Sequence, residues 1–215
     1  MILFLDVISP VPKFVVTDSN KVVESLHILE PESNKLSDYI HKKFEKIERK
    51  YNLLNLLNYL VVPTGPGSFT SLRVGISFML GLSYTKKIPI CGISCIELIS
   101  QFIQTKDFYN ALVIICSSNN QNFILLPENS KKYQYKMLKI TDNHSFKKIN
   151  LKLYSKCVSN YKLPYFINKE VKSKVNKIDY INFEDKLNLK FLKKINRKNI
   201  IEPIYLSDNK LLNFN

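Results

Sequence analysis

The chain is 215 residues long, 45% hydrophobic and 23% charged, with a formal net charge of +14. A chain of this length buries roughly 70% of its unfolded surface, so its core needs no disulfide or metal staple. No run approaches the roughly 18 apolar residues that span a bilayer, and four cysteines without a C-x-x-C pair and three scattered histidines give no zinc-ligand spacing.

The chain opens with an apolar run, Ile2 to Ile8, which Asp6 interrupts and Ser9-Pro10 ends. No basic segment precedes it. It reads as a buried strand and not a secretory leader, which points to a soluble, cytoplasmic protein. Lys13–Thr17 and Val22–Leu29 are β-branched runs ended by Asp18-Ser19-Asn20 and Glu30-Pro31, so the first thirty residues predict an antiparallel meander. From 34 to 51, Leu36, Tyr39, Ile40, Phe44 and Ile47 recur at helical spacing, with Ser33 or Asn34 as cap. Leu60–Val62 is a short strand stopped by Pro63. Thr64 to Thr70 then lead into a helix over 69–84, whose negative end Lys86 and Lys87 complement. Ile88–Cys91 is a further strand, and Ser94 caps a short helix over 95–104.

A second β/α unit begins near residue 107, with Ala111–Cys116 pairing to Phe123–Leu126 across a polar turn. Beyond residue 130 only Tyr165–Ile167 and Ile200–Tyr205 look like strands. There is no long internal repeat.

All five glycines lie between Gly65 and Gly92. Phosphate cradles need glycine, because backbone amides must approach the ligand without a Cβ in the way. Neither G-x-x-x-x-G-K-S/T nor G-x-G-x-x-G occurs. One candidate loop for an anion or nucleotide remains, Gly65, Gly67, Ser68 and Thr70 at a helix N-terminus. The competing reading is a structural turn with Ser68 or Thr70 as cap. In the helix that follows, Ser71 and Gly75, like Ser77 and Gly81, are four apart. Each interior glycine costs about 0.8–1 kcal/mol, which close packing against the 34–50 helix or a partner would offset.

The run Gly65-Pro66-Gly67-Ser68-Phe69-Thr70-x-Leu72-Arg73-x-Gly75, with Gly81-Leu82, Ile88-Pro89 and Gly92-Ile93-Ser94, resembles the signature of the bacterial TsaB (YeaZ) family. ILFLDV at the start and Glu202-Pro203-x-Tyr205-Leu206 near the end resemble that family's two ends. Likeness is dense over 1–105, sparse over 107–128 and nearly absent over 130–199. The resemblance implies an α/β, two-lobed actin-like (ribonuclease H-like) fold with a degenerate nucleotide site. It places a first lobe over 1–105 and a second, divergent Lys/Asn-rich lobe over 106–215. It implies a non-catalytic subunit that pairs with the TsaD-like catalytic subunit and, with a TsaE-like ATPase, serves transfer of a threonylcarbamoyl group to N6 of adenosine 37 in tRNAs reading codons that start with A. The expected partner interface is Leu36, Tyr39, Ile40, Phe44, Leu72, Arg73, Gly75, Ile76 and Met79. No catalytic residue, no metal and no tightly held cofactor are expected, with ATP or ADP entering only in the complex, and the state without a partner is left open between homodimer and monomer. Three departures stand out: Asp6-Val7-Ile8-Ser9-Pro10 where the family has Asp-Thr-Ser-Thr, Ser71 where it often has glycine, and Cys116-Ser117-Ser118-Asn119 where relatives often have Asp-Ala-Arg.

Two other functions compete. A residual actin-like ATPase, kinase or peptidase-like enzyme would use Asp6 and the 65–70 loop, against which the glycine count argues. An RNA-binding module would use the second half: residues 131–215 carry 20 basic and 7 acidic side chains, against 12 and 11 over 1–130. Only three of the basic residues are Arg, so a merely solvated lysine surface is the competing reading there.

Overall fold

The computed structural model describes residues 1–18, 21–30, 35–103, 105–118, 120–127, 135–140, 142–194, 201–204 and 211–212. β1 (Ile2–Asp6), β2 (Lys13–Asp18) and β3 (Lys21–His27) form the expected antiparallel meander. α1 (Leu36–Tyr51) leads to β4 (Tyr59–Gly65), α2 (Phe69–Lys86), β5 (Ile90–Ser94) and α3 (Cys95–Ser100). The sheet runs β3-β2-β1-β4-β5, with β4 and β5 parallel to β1. All five residues of β1 are buried, as befits a central strand covered on both faces.

The second half builds a sheet of its own. Its elements are β6 (Ala111–Cys116), β7 (Asn122–Pro127), β8 (Tyr135–Ile140), α4 (Asn143–Lys147), β9 (Lys156–Ser159), α5 (Tyr165–Lys174), β10 (Lys177–Tyr180), α6 (Leu189–Lys194) and β11 (Leu211–Leu212). The order is β10-β9-β6-β7-β8-β11, with β9 and β10 parallel to β6 and the meander antiparallel. Set against the first sheet, β6 to β10 repeat the topology of β1 to β5. The duplication is structural, with no matching repeat in the sequence.

β6 shows how the layers are stacked. Ala111, Val113 and Ile115 join one large core that contains β1, β2, β4, β5, α1, α2 and α3. Leu112, Ile114 and Cys116 point to the opposite face and a smaller core under α4 and α5, with Phe146, Ile167 and Val171. This is the two-residue period of a strand buried on both faces. Among the described residues no helix is long and apolar enough to cross a membrane.

Several expectations need correction. β4 runs through Pro63, which pairs with Ile93 of β5. Proline is tolerated because the ladder to β1 has already ended at Val61, so no hydrogen bond is missed on that side. Tyr165–Ile167 is not a strand but the first turn of α5, with Pro164 as N-cap at φ −52°. Ile201–Ile204 is not a strand either, although the Ile204 amide donates to Thr64 O; Ile200, Tyr205 and Leu206 lie outside the described residues. So do Ser33 and Asn34, and Lys35 holds the N-cap position of α1. Ser94 does cap α3, in a reciprocal box with Glu97.

Candidate functional site

Four loops, following β1, β4, β6 and β9, meet where the two sheets approach. These are the places from which a fold of this topology could offer backbone to a phosphate. Here the loops bond each other. Asp6 is 1% exposed and its carboxylate accepts from the Ile8 and Ser9 amides and from Ser9 Oγ, at 2.9, 3.0 and 2.6 Å. Ser9 Oγ in turn accepts from Asn160 Nδ2, after β9, at 3.1 Å. Asn160 also clasps the Cys116 backbone, accepting from its N–H at 2.8 Å and donating to its C=O at 3.0 Å. On the other diagonal the Ser68 amide, after β4, donates to Ser117 Oγ at 3.0 Å, and the Ser71 and Ser118 hydroxyls lie 3.3 Å apart. Burial pushes the Asp6 carboxyl above its usual 3.8, with the Ser9 hydroxyl and amide, the Ile8 amide and Lys13 restraining the rise.

The glycines of the candidate anion loop serve packing. A β-carbon on Gly67 would lie 2.6 Å from Ile8 Cδ1, and one on Gly65, whose φ is +123°, would lie 2.9 Å from Ile204 O. Ser68 takes the N-cap position of α2 but its side chain makes no cap bond, and Thr70 is an exposed residue of the first turn. Space in front of Gly65 and Gly67 is thus filled by Ile8, Leu72 and Ile204. Val7 packs on Gly75 as Ile8 packs on Gly67.

A second feature lies on the outside of α1 and α2. Leu36, Leu72, Ile76 and Met79 are buried in the chain's own core and hold the helices to the sheet, so they cannot face a partner as expected. Gly75 is closed by Val7, and Tyr39 is half-buried against the core. Ile40 and Phe44 are buried as well and form the floor of an open groove between the helices, of about 630 Å³, which Arg73 and His41 border together with Phe78 and Gly81. The groove is largely aromatic. Phe44 and Phe78 meet edge to face at 5.4 Å between centroids, and His41 meets Phe78 at 5.1 Å. A β-carbon on Gly81 would meet nothing within 4 Å.

Beyond the groove, α2 stays apolar on its outer side. Phe69, Leu80 and Tyr84 are exposed, Tyr84 to 90%, and Arg73 lies over the Phe69 ring at 5.1 Å. A helix apolar on both faces is normally covered on both. Leu80, Tyr84, Phe78 and His41 were not among the expected interface residues, although that two-sided apolar pattern could have shown the first two. Ser9 and Ser117 stand in the two runs that depart from the family pattern, but their bonds, like the whole of Asn160's role, depend on strands of the divergent half. The four cysteines are buried thiols, and burial raises Cys116 to about 11 and Cys157 to about 12.

The family model described as TsaD: tRNA N6-adenosine threonylcarbamoyltransferase matches residues 33–192. A tRNA N6-adenosine threonylcarbamoyltransferase of Fusobacterium nucleatum is 31% identical over 87 residues, which is 40% of this chain and 26% of that protein. A tRNA threonylcarbamoyladenosine biosynthesis protein TsaB of Buchnera aphidicola subsp. Schizaphis graminum is 44% identical over 45 residues, 21% of each chain. These matches span about a fifth to a quarter of the relatives' lengths. Two solved structures share the fold over nearly the whole chain at 12% identity. A Pseudomonas aeruginosa protein described as similar to peptidase YEAZ has a TM-score of 0.57 and covers 96% of this chain and 99% of its own. YeaZ from P. aeruginosa has a TM-score of 0.52, with 95% and 99% covered.

Proposed function

This chain belongs to the TsaD family, on its TsaB/YeaZ branch, with the two-lobed actin-like fold, and we propose that it serves tRNA threonylcarbamoyladenosine formation as a subunit without a reaction centre of its own. The open aromatic groove between α1 and α2 carries this reading. A helix of a TsaD-type catalytic subunit would lie along it, over Gly81 and between Phe78 and Tyr84. The loops that could have held a nucleotide have their polar groups engaged with one another, which supports a helper role over an ATPase, kinase or peptidase. In this reading a TsaE-like ATPase joins through the catalytic partner, the tRNA is engaged by the complex, and any ATP or ADP binds in the complex.

The test is co-expression with a TsaD-type protein, followed by gel filtration at micromolar concentration. The two chains should elute together, and Gly81→Leu, which fills the groove floor, should separate them while leaving the chain folded. Separate elution of the wild-type pair, or ATP turnover by the isolated chain, would sink the reading.

A further inference from the structure

α5 has an outer face that the groove and the loop cluster leave unused. Ile167 and Val171 point into the smaller core. Tyr165, Lys169 and Lys172, at positions i, i+4 and i+7, are exposed on the opposite side, Tyr165 to 81%. Exposed Tyr161 and Lys162 precede the helix by one turn. α4 packs beside α5, and its Lys147 comes close enough, with Lys169, to act on Glu170. Residues 142–174 hold eight lysines and two carboxylates. One of those carboxylates, Glu170, is already bonded to Lys174 at 2.8 Å. Lys156 is paired with Asp179 at 2.8 Å, which still leaves Lys147, Lys162, Lys169 and Lys172 in local excess over carboxylates.

We propose that this face, with Lys147, Lys162, Lys169 and Lys172 around Tyr165 and Tyr161, is a contact surface for RNA. Lysines at helical spacing meet successive phosphates, and an unshielded tyrosine ring offers a platform for an unstacked base. A uniformly solvated lysine surface would have no reason to leave tyrosine rings exposed at its centre. The face lies on the far side of the second sheet from the core that anchors α1 and α2, so a partner in the groove leaves it free. Taking tRNA as the RNA rests on the role proposed above; the surface itself does not.

The test is fluorescence anisotropy with a labelled, unmodified tRNA transcript, titrated with the full chain alone and with its TsaD-type partner over a range of salt. Lys162→Glu/Lys169→Glu/Lys172→Glu should weaken binding by about tenfold or more and flatten the salt slope by about three. Tyr165→Ala should cost about fivefold or more and Tyr165→Phe little. Lys21→Glu/Lys42→Glu/Lys46→Glu, an equal charge change on the first lobe, should have a much smaller effect. The proposal is overturned if wild type alone does not bind tRNA at low salt, if the two triple variants lose affinity equally, or if anionic vesicles bind and tRNA does not. Loss of co-elution with the partner would instead strike the role proposed above, since the α5 variants leave the groove intact.

Discussion

A β-carbon built on Gly75 would lie 2.6 Å from Val7 Cγ1 and 3.1 Å from Cγ2. Val7 is β-branched and buried, so it has no rotamer to retreat to. Gly75→Ala gains about 1 kcal/mol of helix propensity but overpacks the core at a cost of about 1–3 kcal/mol, and should lower stability in urea unfolding. Gly81→Ala has the same propensity gain and no contact to offend. It should raise stability by about 1 kcal/mol, which is about 2–4 °C in Tm for a chain of this size, and weaken partner binding. A loss of stability at Gly81 would mean that the groove is closed in solution. Asp6 gives a pH signature. Its folded-state pKa lies above the unfolded value, so the native state keeps a proton that the unfolded chain has released. Its contribution to stability therefore falls as pH rises from the unfolded value through the folded one, and is flat beyond either. Asp6→Asn removes the titration. Stability of wild type minus that of Asp6→Asn, from urea unfolding between pH 4 and 8, should decline with rising pH; parallel curves would show that Asp6 stays solvated.

At the scale of elements, the first half and the β6–β7 pair of the second are legible in the sequence and the rest of the second half is not, for a physical reason. α1 carries a clear stripe because one face is buried and the other wet, with Leu36, Ile40, Phe44 and Ile47 inside. β6 is apolar throughout, and β1 up to Asp6, because both faces are covered. The elements the sequence does not show in the second half, β8, α4, β9, α5, β10, α6 and β11, are ten residues or fewer, and their surroundings are rich in Lys and Asn, which blur any period. α5 buries only Ile167 and Val171; that pair, four apart after Pro164, was the helix signal, and Tyr165–Ile167 was read as a strand because three residues cannot show a period. For the candidate site, the 65–70 run was found but its glycines meet protein where a ligand was expected, since the side chains that fill the space come from Val7, Ile8 and the 201–204 segment. The outer face of α2 yields its own prediction. Tyr84 and Leu80 are exposed in the free chain, so Tyr84→Arg with Leu80→Asp should change folding stability by less than about 0.5 kcal/mol each and abolish co-elution with the partner. If the pair unfolds the chain instead, that face belongs to the fold and not to an interface.

For the molecule as a whole, what matters is how the duplicated halves are joined. The larger core takes Ala111, Val113 and Ile115 from the second sheet along with β1, β2, β4 and β5 of the first, so the halves share apolar contacts. Polar links join them as well, among them Ser68–Ser117, Lys13–Glu184 and the most buried, Asn160, which holds both the Cys116 backbone and Ser9. Asn160→Ala strips partners from a buried N–H and a C=O, at about 1–3 kcal/mol for each group left unsatisfied. Asn160→Asp should be worse at neutral pH. It cannot donate to Ser9 or to Cys116 O, and it sets a second carboxylate near Asp6, where burial already disfavours charge. Part of that loss should return on acidification, as the new carboxyl becomes protonated. The chain has no tryptophan, so hydrogen exchange followed by mass spectrometry is the suitable probe. Because the core is shared, β1 and β6 should lose protection together in both variants. Selective opening of the second sheet, with β1 still protected, would mean that the lobes fold separately and that the loop cluster, not the apolar core, joins them.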